Sequence, residues 1–252
     1  TSANNATIDL GSLAVTGDIA VTTNGTTGHV TLGNATGIDF GSSTVDGNLT
    51  ATATTGNLTD EETVTVSGTA SFTTIADNAD ITLNELAVTG AIAVTTNGST
   101  GHVTLGNATG IDFGSSTVDG NLAATATGVI ADSGALTVSG TSTFTNTAGS
   151  NAAITLDHAG NDFTGAVTFA TDSGSAVTIN DDSALDLQAL TAASLSVTAG
   201  GVITDSGTLT ISGATTLDSG SANLTLDEAG STFGSLTITG AAVSVVENAA
   251  LD

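Results

Sequence analysis

The chain has 252 residues, 25 of them acidic and none of them lysine or arginine, for a formal net charge of −25 at pH 7. A chain of this length ordinarily carries roughly 30 basic residues. Their absence excludes protein-borne phosphate clamps and basic nucleic-acid grooves in this chain, and leaves an acidic scaffold, a surface polymer or a cation binder.

The first predicted strand starts at Ile8, in IDLG (8–11). It is a variant of a pattern, apolar-Thr-apolar followed by Gly, Asn or Asp, that recurs as VTLG (30–33), ITLN (81–84), VTLG (103–106), ITLD (154–157), VTIN (177–180) and LTLD (224–227). Equivalent strand starts fall at Leu58, Ile130, Ile203 and Val243. Each tetrad reads as a short strand with its first and third side chains on one face and Thr on the other. Its closing residue suits a left-handed corner. A second corner ends in Gly after an apolar residue, at Gly17, Gly47, Gly68, Gly90, Gly120, Gly140, Gly213 and Gly240. The starts run 8, 30, 58, 81, 103, 130, 154, 177, 203, 224 and 243, in ten steps of uneven length from Ile8 to Val243.

A longer period lies over this one. Residues 13–54 and 86–127 align without gaps at an offset of 73, differing only at Asp18/Ala91, Thr26/Ser99 and Thr50/Ala123. GVIADSGALTVSG (128–140) returns at the same offset as GVITDSGTLTISG (201–213). The super-repeats read as 8–80, 81–153 and 154–223, with a partial copy at 224–252, all within one solenoid spanning 1–252.

Short, glycine-punctuated, β-branched segments disfavour helix. Propeller blades need about 40 or more residues each, and a sandwich has no fixed translational period. The fold class expected is therefore all-β: a right-handed parallel β-helix, or β-solenoid, of about eleven coils of about 23 residues with a 73-residue super-repeat. Val, Leu and Ile columns fill its interior, helped by the only aromatics, Phe40, Phe72, Phe113, Phe144, Phe163, Phe169 and Phe233. Hydrophobic residues make up 39% of the chain, enough for such a core, and no apolar run approaches the roughly 18 residues of a membrane span. Cysteine is absent, so neither disulfides nor thiolate metal sites exist.

GNLxxTAxGxIxDSGxLTVSGTxTF, followed by ITLDxAGNDFTGAVTF, is similar to the repeat body of large secreted bacterial adhesins, the filamentous-haemagglutinin-like exoproteins and autotransporter passengers. Residues 121–145, 154–169, 194–217 and 224–240 carry the resemblance, and the duplicate at 13–69 extends it over most of the chain. It implies a β-helical segment outside the cell, on a bacterial surface. The family's amino-terminal secretion domain is not recognisable, and the lack of basic residues and proline departs from most relatives. The closing segment AAVSVVENAALD parallels AVTINDDSALD (176–186). The chain is expected to be an excerpt of a longer polypeptide or to abut another copy of itself.

Chemistry is sparse. His29 and His102 occupy one repeat position, an expected three coils or about 14 Å apart, too far for one metal. His158 replaces Glu228 of the matching repeat. Acidic residues gather at Asp60-Glu61-Glu62, at Asp157 with Asp162, and at Asp181-Asp182 with Asp186. Asp181, Asp182 and Asp186 are the first place to look for a loosely held Ca²⁺; no cofactor is required. Paired carboxylates on a β-helix also suit polysaccharide hydrolysis, although no Trp or Tyr platform accompanies them. Thr-x-Thr arrays suit an ice-binding face, but variable coil lengths are expected to scatter them. Asn5, Asn24, Asn34, Asn48, Asn57, Asn97, Asn107 and Asn223 head Asn-x-Ser/Thr triplets.

The reading that unites these features is a non-enzymatic structural or adhesive solenoid, extracellular, acting as a stiff acidic rod, fibre or sheath element. A carbohydrate-active enzyme and a calcium- or ice-binding module are the alternatives. The expected partners are a further solenoid turn, in the same chain or a second copy, and a cell-surface receptor; nucleic acid and membrane insertion are not expected.

Overall fold

Alternation decides the strands. In Val30–Asn34, Val30 and Leu32 point inward at 1% exposure each while Thr31 faces solvent. The same pattern builds Ile81–Val88, Val103–Asn107, Ile154–Leu156, Ala176–Asp181 and Leu224–Leu226. A computed structural model describes residues 3–147 and 149–248, and all its regular elements are strands. They form one 16-stranded and one 13-stranded sheet, and the pairing within each is parallel throughout the described residues. Each coil lies on the one before it, as a β-solenoid of about eleven turns requires.

Coil length varies. The shortest coils pair Val177 with Leu195 and Leu185 with Ile203, the longest pairs Ser142 with Val167, and the typical spacing is about 21 residues. The tetrad ladder has a longer mean step because it is not one column. Starts 8 and 30 lie in the first sheet, 58, 81 and 103 in the second, 130, 154 and 177 in the first again, and 203, 224 and 243 in the second. Val30 pairs with Leu49, and Leu58 with Ile38. The long step from 30 to 58 is therefore one and a half coils.

The super-repeat accordingly spans three and a half coils, and its copies alternate between sheets. Identical VTLGN segments lie in the first sheet at Val30–Asn34 and in the second at Val103–Asn107. The IDF segments reverse this, with Ile38–Phe40 in the second sheet and Ile111–Phe113 in the first. His29 and His102 thus sit on opposite sheets rather than in one column three coils apart. One sequence serves both sheets because both demand the same thing: aliphatic inside, Thr outside, and a close-packed corner.

The core is continuous along the rod. All seven phenylalanines lie in it; Phe40, Phe72, Phe113, Phe144 and Phe163 are fully buried and Phe233 is 8% exposed. Phe144 meets Phe113 and Phe163 edge-on and stacks on Phe169, with centroids 5.9–6.1 Å apart. Such pairs add about 0.5–1.5 kcal/mol each beyond burial.

The corners differ from expectation. None of the tetrad-closing residues is left-handed. The positive-φ residues among those described are Asn5, Asn78 and Asn151, spaced 73 apart, together with Gly25, Gly98, Gly149 and Gly220. Two of the tetrads close in glycine for want of space: a Cβ on Gly33 would stand 2.5 Å from the Gly11 carbonyl oxygen, and one on Gly106 2.6 Å from that of Asn84. Asn5 and Asn78 instead clasp the NG turn of the next coil. Asn5 Oδ1 accepts the Thr26 and Thr27 N–H groups, and Asn78 Oδ1 those of Ser99 and Thr100.

Candidate functional site

Where the backbone turns a corner, side-chain acceptors take some of its N–H groups. On one corner Asn57 Oδ1 accepts the Asp80 N–H (2.9 Å) and Asp80 Oδ1 the His102 N–H (2.8 Å). His102 Nδ1 then accepts the Asn121 N–H (2.9 Å), and Asn121 Oδ1 the Thr141 N–H (2.9 Å). The opposite sheet repeats the device with His29 Nδ1 under the Asn48 N–H (2.9 Å) and Asn48 Oδ1 under that of Thr69 (3.0 Å). An imidazole nitrogen that accepts carries no proton, so each of these rings holds its hydrogen on Nε2. The two histidines are staples between coils.

Asp60, Asp132 and Asp205 close a second corner, at equivalent positions of the three super-repeats. Asp60 accepts the Asn84 and Glu85 N–H groups at 2.8 and 3.0 Å. Asp132 accepts that of Asp157 at 3.0 Å and also the Asn161 amide, and Asp205 accepts that of Asp227 at 2.8 Å. Burial lifts all three carboxyls above the usual carboxylate range. Nearby acids (Glu85, Asp157 and Asp227) push the same way, and the accepted N–H groups pull back only in part.

The predicted calcium residues have three separate surroundings. Asp181 points into the core from the first sheet at 0% exposure. Asp182 faces solvent. Asp186 lies on the second sheet, where it accepts from Gln188 Nε2 (3.1 Å), Thr204 Oγ1 (3.2 Å) and Ser206 Oγ (2.8 Å). Among the described residues no three His, Cys, Asp or Glu side chains gather in a group able to hold a metal ion.

Threonines form ranks after all, because coil-length differences are absorbed at corners and the strands keep register. Thr155, Thr178, Ser196, Thr216 and Thr237 make one outward column. Thr59, Thr82, Thr104, Ala123, Thr143 and Thr168 make another on the second sheet. Two of the glycosylation triplets are closed off, since Asn34 and Asn107 are buried at 1% and 4% exposure.

Twenty-five negative charges on a rod of about eleven coils, roughly 50 Å long, give about one charge per 2 Å; duplex DNA carries one per about 1.7 Å. Mobile cations must screen them. Raising salt from low to physiological strength is expected to raise the melting temperature by several degrees, and a temperature independent of ionic strength would contradict this.

These elements define a β-solenoid repeat protein whose polar side chains chiefly join one coil to the next. Residues 27–97, 100–170 and 174–240 match one family, described as repeats of unknown function (DUF5649), and the chain belongs to that family. The matches begin at positions 27, 100 and 174, the spacing of the super-repeat, so the family unit is the three-and-a-half-coil block. No curated protein and no solved structure matches the chain.

Proposed function

We propose that this chain is a non-enzymatic structural or adhesive module, a stiff acidic rod acting as spacer, fibre or sheath element outside a bacterial cell. The observation that carries this reading is the coil-to-coil ladder, unbroken from Ile8 to Val245. Parallel stacking along a single axis resists bending, because every coil is bonded to both neighbours over two sheets. The resemblance to haemagglutinin-like exoproteins supports the surface location. The absence of lysine and arginine supports an exposed life, because it leaves trypsin-like proteases nothing to cut. Its partner in this reading is a further solenoid turn, supplied by the same polypeptide or a second copy.

Electron microscopy of native material from cells that make the protein tests the reading, combined with digestion of intact cells by a protease that cuts after apolar residues. Rods or filaments, labelled by antibody to the chain and shed or shortened by digestion, are expected. Labelling confined to the cell interior, or compact particles without an extended axis, would overturn it.

A further inference from the structure

The fifth residue of the strand pentads points inward at the corner, and in Val30–Asn34 and Val103–Asn107 it is asparagine. Both amides are fully used. Asn34 Oδ1 accepts the Val15 N–H (3.0 Å), and its Nδ2 donates to the carbonyls of Val15 (2.9 Å) and Gly37 (2.6 Å). Asn107 Oδ1 accepts the Val88 N–H (2.9 Å), and its Nδ2 donates to the carbonyls of Val88 and Gly110. In Ala176–Asp181 the same place is taken by Asp181, in VTIND where the others read VTLGN.

Asp181 reproduces half of this arrangement. Its Oδ1 accepts the Phe163 N–H at 3.1 Å, the counterpart of the Val15 and Val88 bonds, and also that of Ser183 at 3.3 Å. Its Oδ2 stands where the amides place Nδ2, fully buried and without a hydrogen-bond partner. By register, the carbonyls of Phe163 and Ala184 hold the places of those the asparagines donate to. An ionised carboxylate offers such carbonyls only a lone pair; a carboxylic acid offers an O–H.

We propose that Asp181 is a proton-operated latch: with its carboxyl neutral, Oδ2 donates into the corner as the Asn34 and Asn107 amides do, and on ionisation the corner between the coils bearing Phe163 and Asp181 loosens. The groups around it reinforce this. Asp162, next to Phe163 on the coil below, and Asp182, beside it in the chain, are both acidic. His158 on the coil below uses Nδ1 to accept the Gly160 N–H. Ala199, paired with Asp181 on the coil above, is uncharged. No lysine or arginine exists to hold the charge. Burial, with a smaller push from Asp162, lifts the carboxyl to about 6, within reach of mildly acidic surroundings.

The test compares thermal melts of the whole chain and its Asp181→Asn variant from about pH 4 to pH 7.5. The variant is expected to melt higher by several degrees at pH 7.5, and the two curves to converge near pH 4. A difference that does not change with pH, or a variant less stable at pH 7.5, would overturn the latch. Should the variant fail to fold, carboxyl-carbon NMR of the unmodified chain decides: an Asp181 signal titrating near pH 6 supports the proposal and one titrating near 4 sinks it. Repeating the melts in calcium and in chelator separates proton from cation. Calcium that closes the pH 7.5 gap between chain and variant would mean that a metal ion satisfies Oδ2, and the latch would fall.

Discussion

Lowering the pH from about 7.5 to about 4.5 raises the melting temperature of this protein, the reverse of ordinary acid denaturation. Acid usually unfolds proteins because native carboxylates lose paired cations. Here there is no lysine or arginine to lose, against 25 acids, and His29, His102 and His158 accept backbone N–H groups rather than pairing with carboxylates. Asp60, Asp132, Asp181 and Asp205 all have carboxyls lifted above the ordinary value of 3.8, with burial the largest cause in each. A group raised in the folded state binds its proton more tightly there than in the unfolded chain. Stability therefore grows as pH falls through the folded value, about 6 for Asp181, and levels off below 3.8. For Asp181 alone the whole shift corresponds to about 3 kcal/mol, of which about 2 kcal/mol is gained by pH 4.5. At about 2–4 °C per kcal/mol for a chain of this size, the gain by pH 4.5 is roughly 4–8 °C, with the other three carboxyls and reduced self-repulsion adding to it. Circular dichroism melts across the range measure it. Solenoids can melt in segments, so the first transition is the one to follow. A melting temperature that drops steadily from pH 7 to 4.5 would contradict the account.

The architecture was legible because its cause is local. An apolar-Thr-apolar tetrad can bury one face only by stacking on a copy of itself, and a translational repeat says that the copies lie along an axis. The phase of the super-repeat was not legible. Val30 and Val103 sit in identical sequence yet in different sheets, because both sheets make the same chemical demands and nothing in VTLGN distinguishes them. Only the long steps, such as 30 to 58, hinted that a half coil had been inserted. The left-handed asparagines at 5, 78 and 151 were likewise within reach: each precedes Ala and then a strand, at a fixed spacing of 73. Adjacency drew Asp181, Asp182 and Asp186 together in the sequence, whereas strand alternation and the turn between the sheets send them inward, outward and to another face. The histidines' part as backbone acceptors depends on which nitrogen meets the next coil, and that is set by the corner's shape.

Replacing Gly140 with alanine is expected to destabilise the rod by about 2–4 kcal/mol, whereas the same change at Gly17 is expected to be neutral or slightly stabilising. Both glycines end the same apolar-x-Gly corner in the sequence, so propensity alone predicts equal effects. The stacking separates them. Gly28, Gly47, Gly68 and Gly90 form one glycine column, and Gly101, Gly120 and Gly140 begin its counterpart. The Gly140 N–H donates to the Gly120 carbonyl at 2.9 Å, and a Cβ on Gly140 would lie 2.6 Å from that oxygen and 2.7 Å from its carbon. Backbone atoms held by ladders on both sides cannot step aside as a flexible side chain would. The coils must part at that corner, which lengthens or breaks the bond and leaves a donor unsatisfied. Around Gly17 nothing lies within 4 Å of the added methyl, and alanine there narrows the unfolded ensemble without native strain. Melting the two variants beside the unmodified chain should show Gly140→Ala lower by roughly 5–15 °C and Gly17→Ala within about 2 °C. Hydrogen exchange at the amide of residue 140, together with its neighbours in the column, should quicken only in the first variant. Equal melting temperatures would mean that the coils stand further apart at this corner than the geometry places them, and that glycine is there for its turn propensity alone.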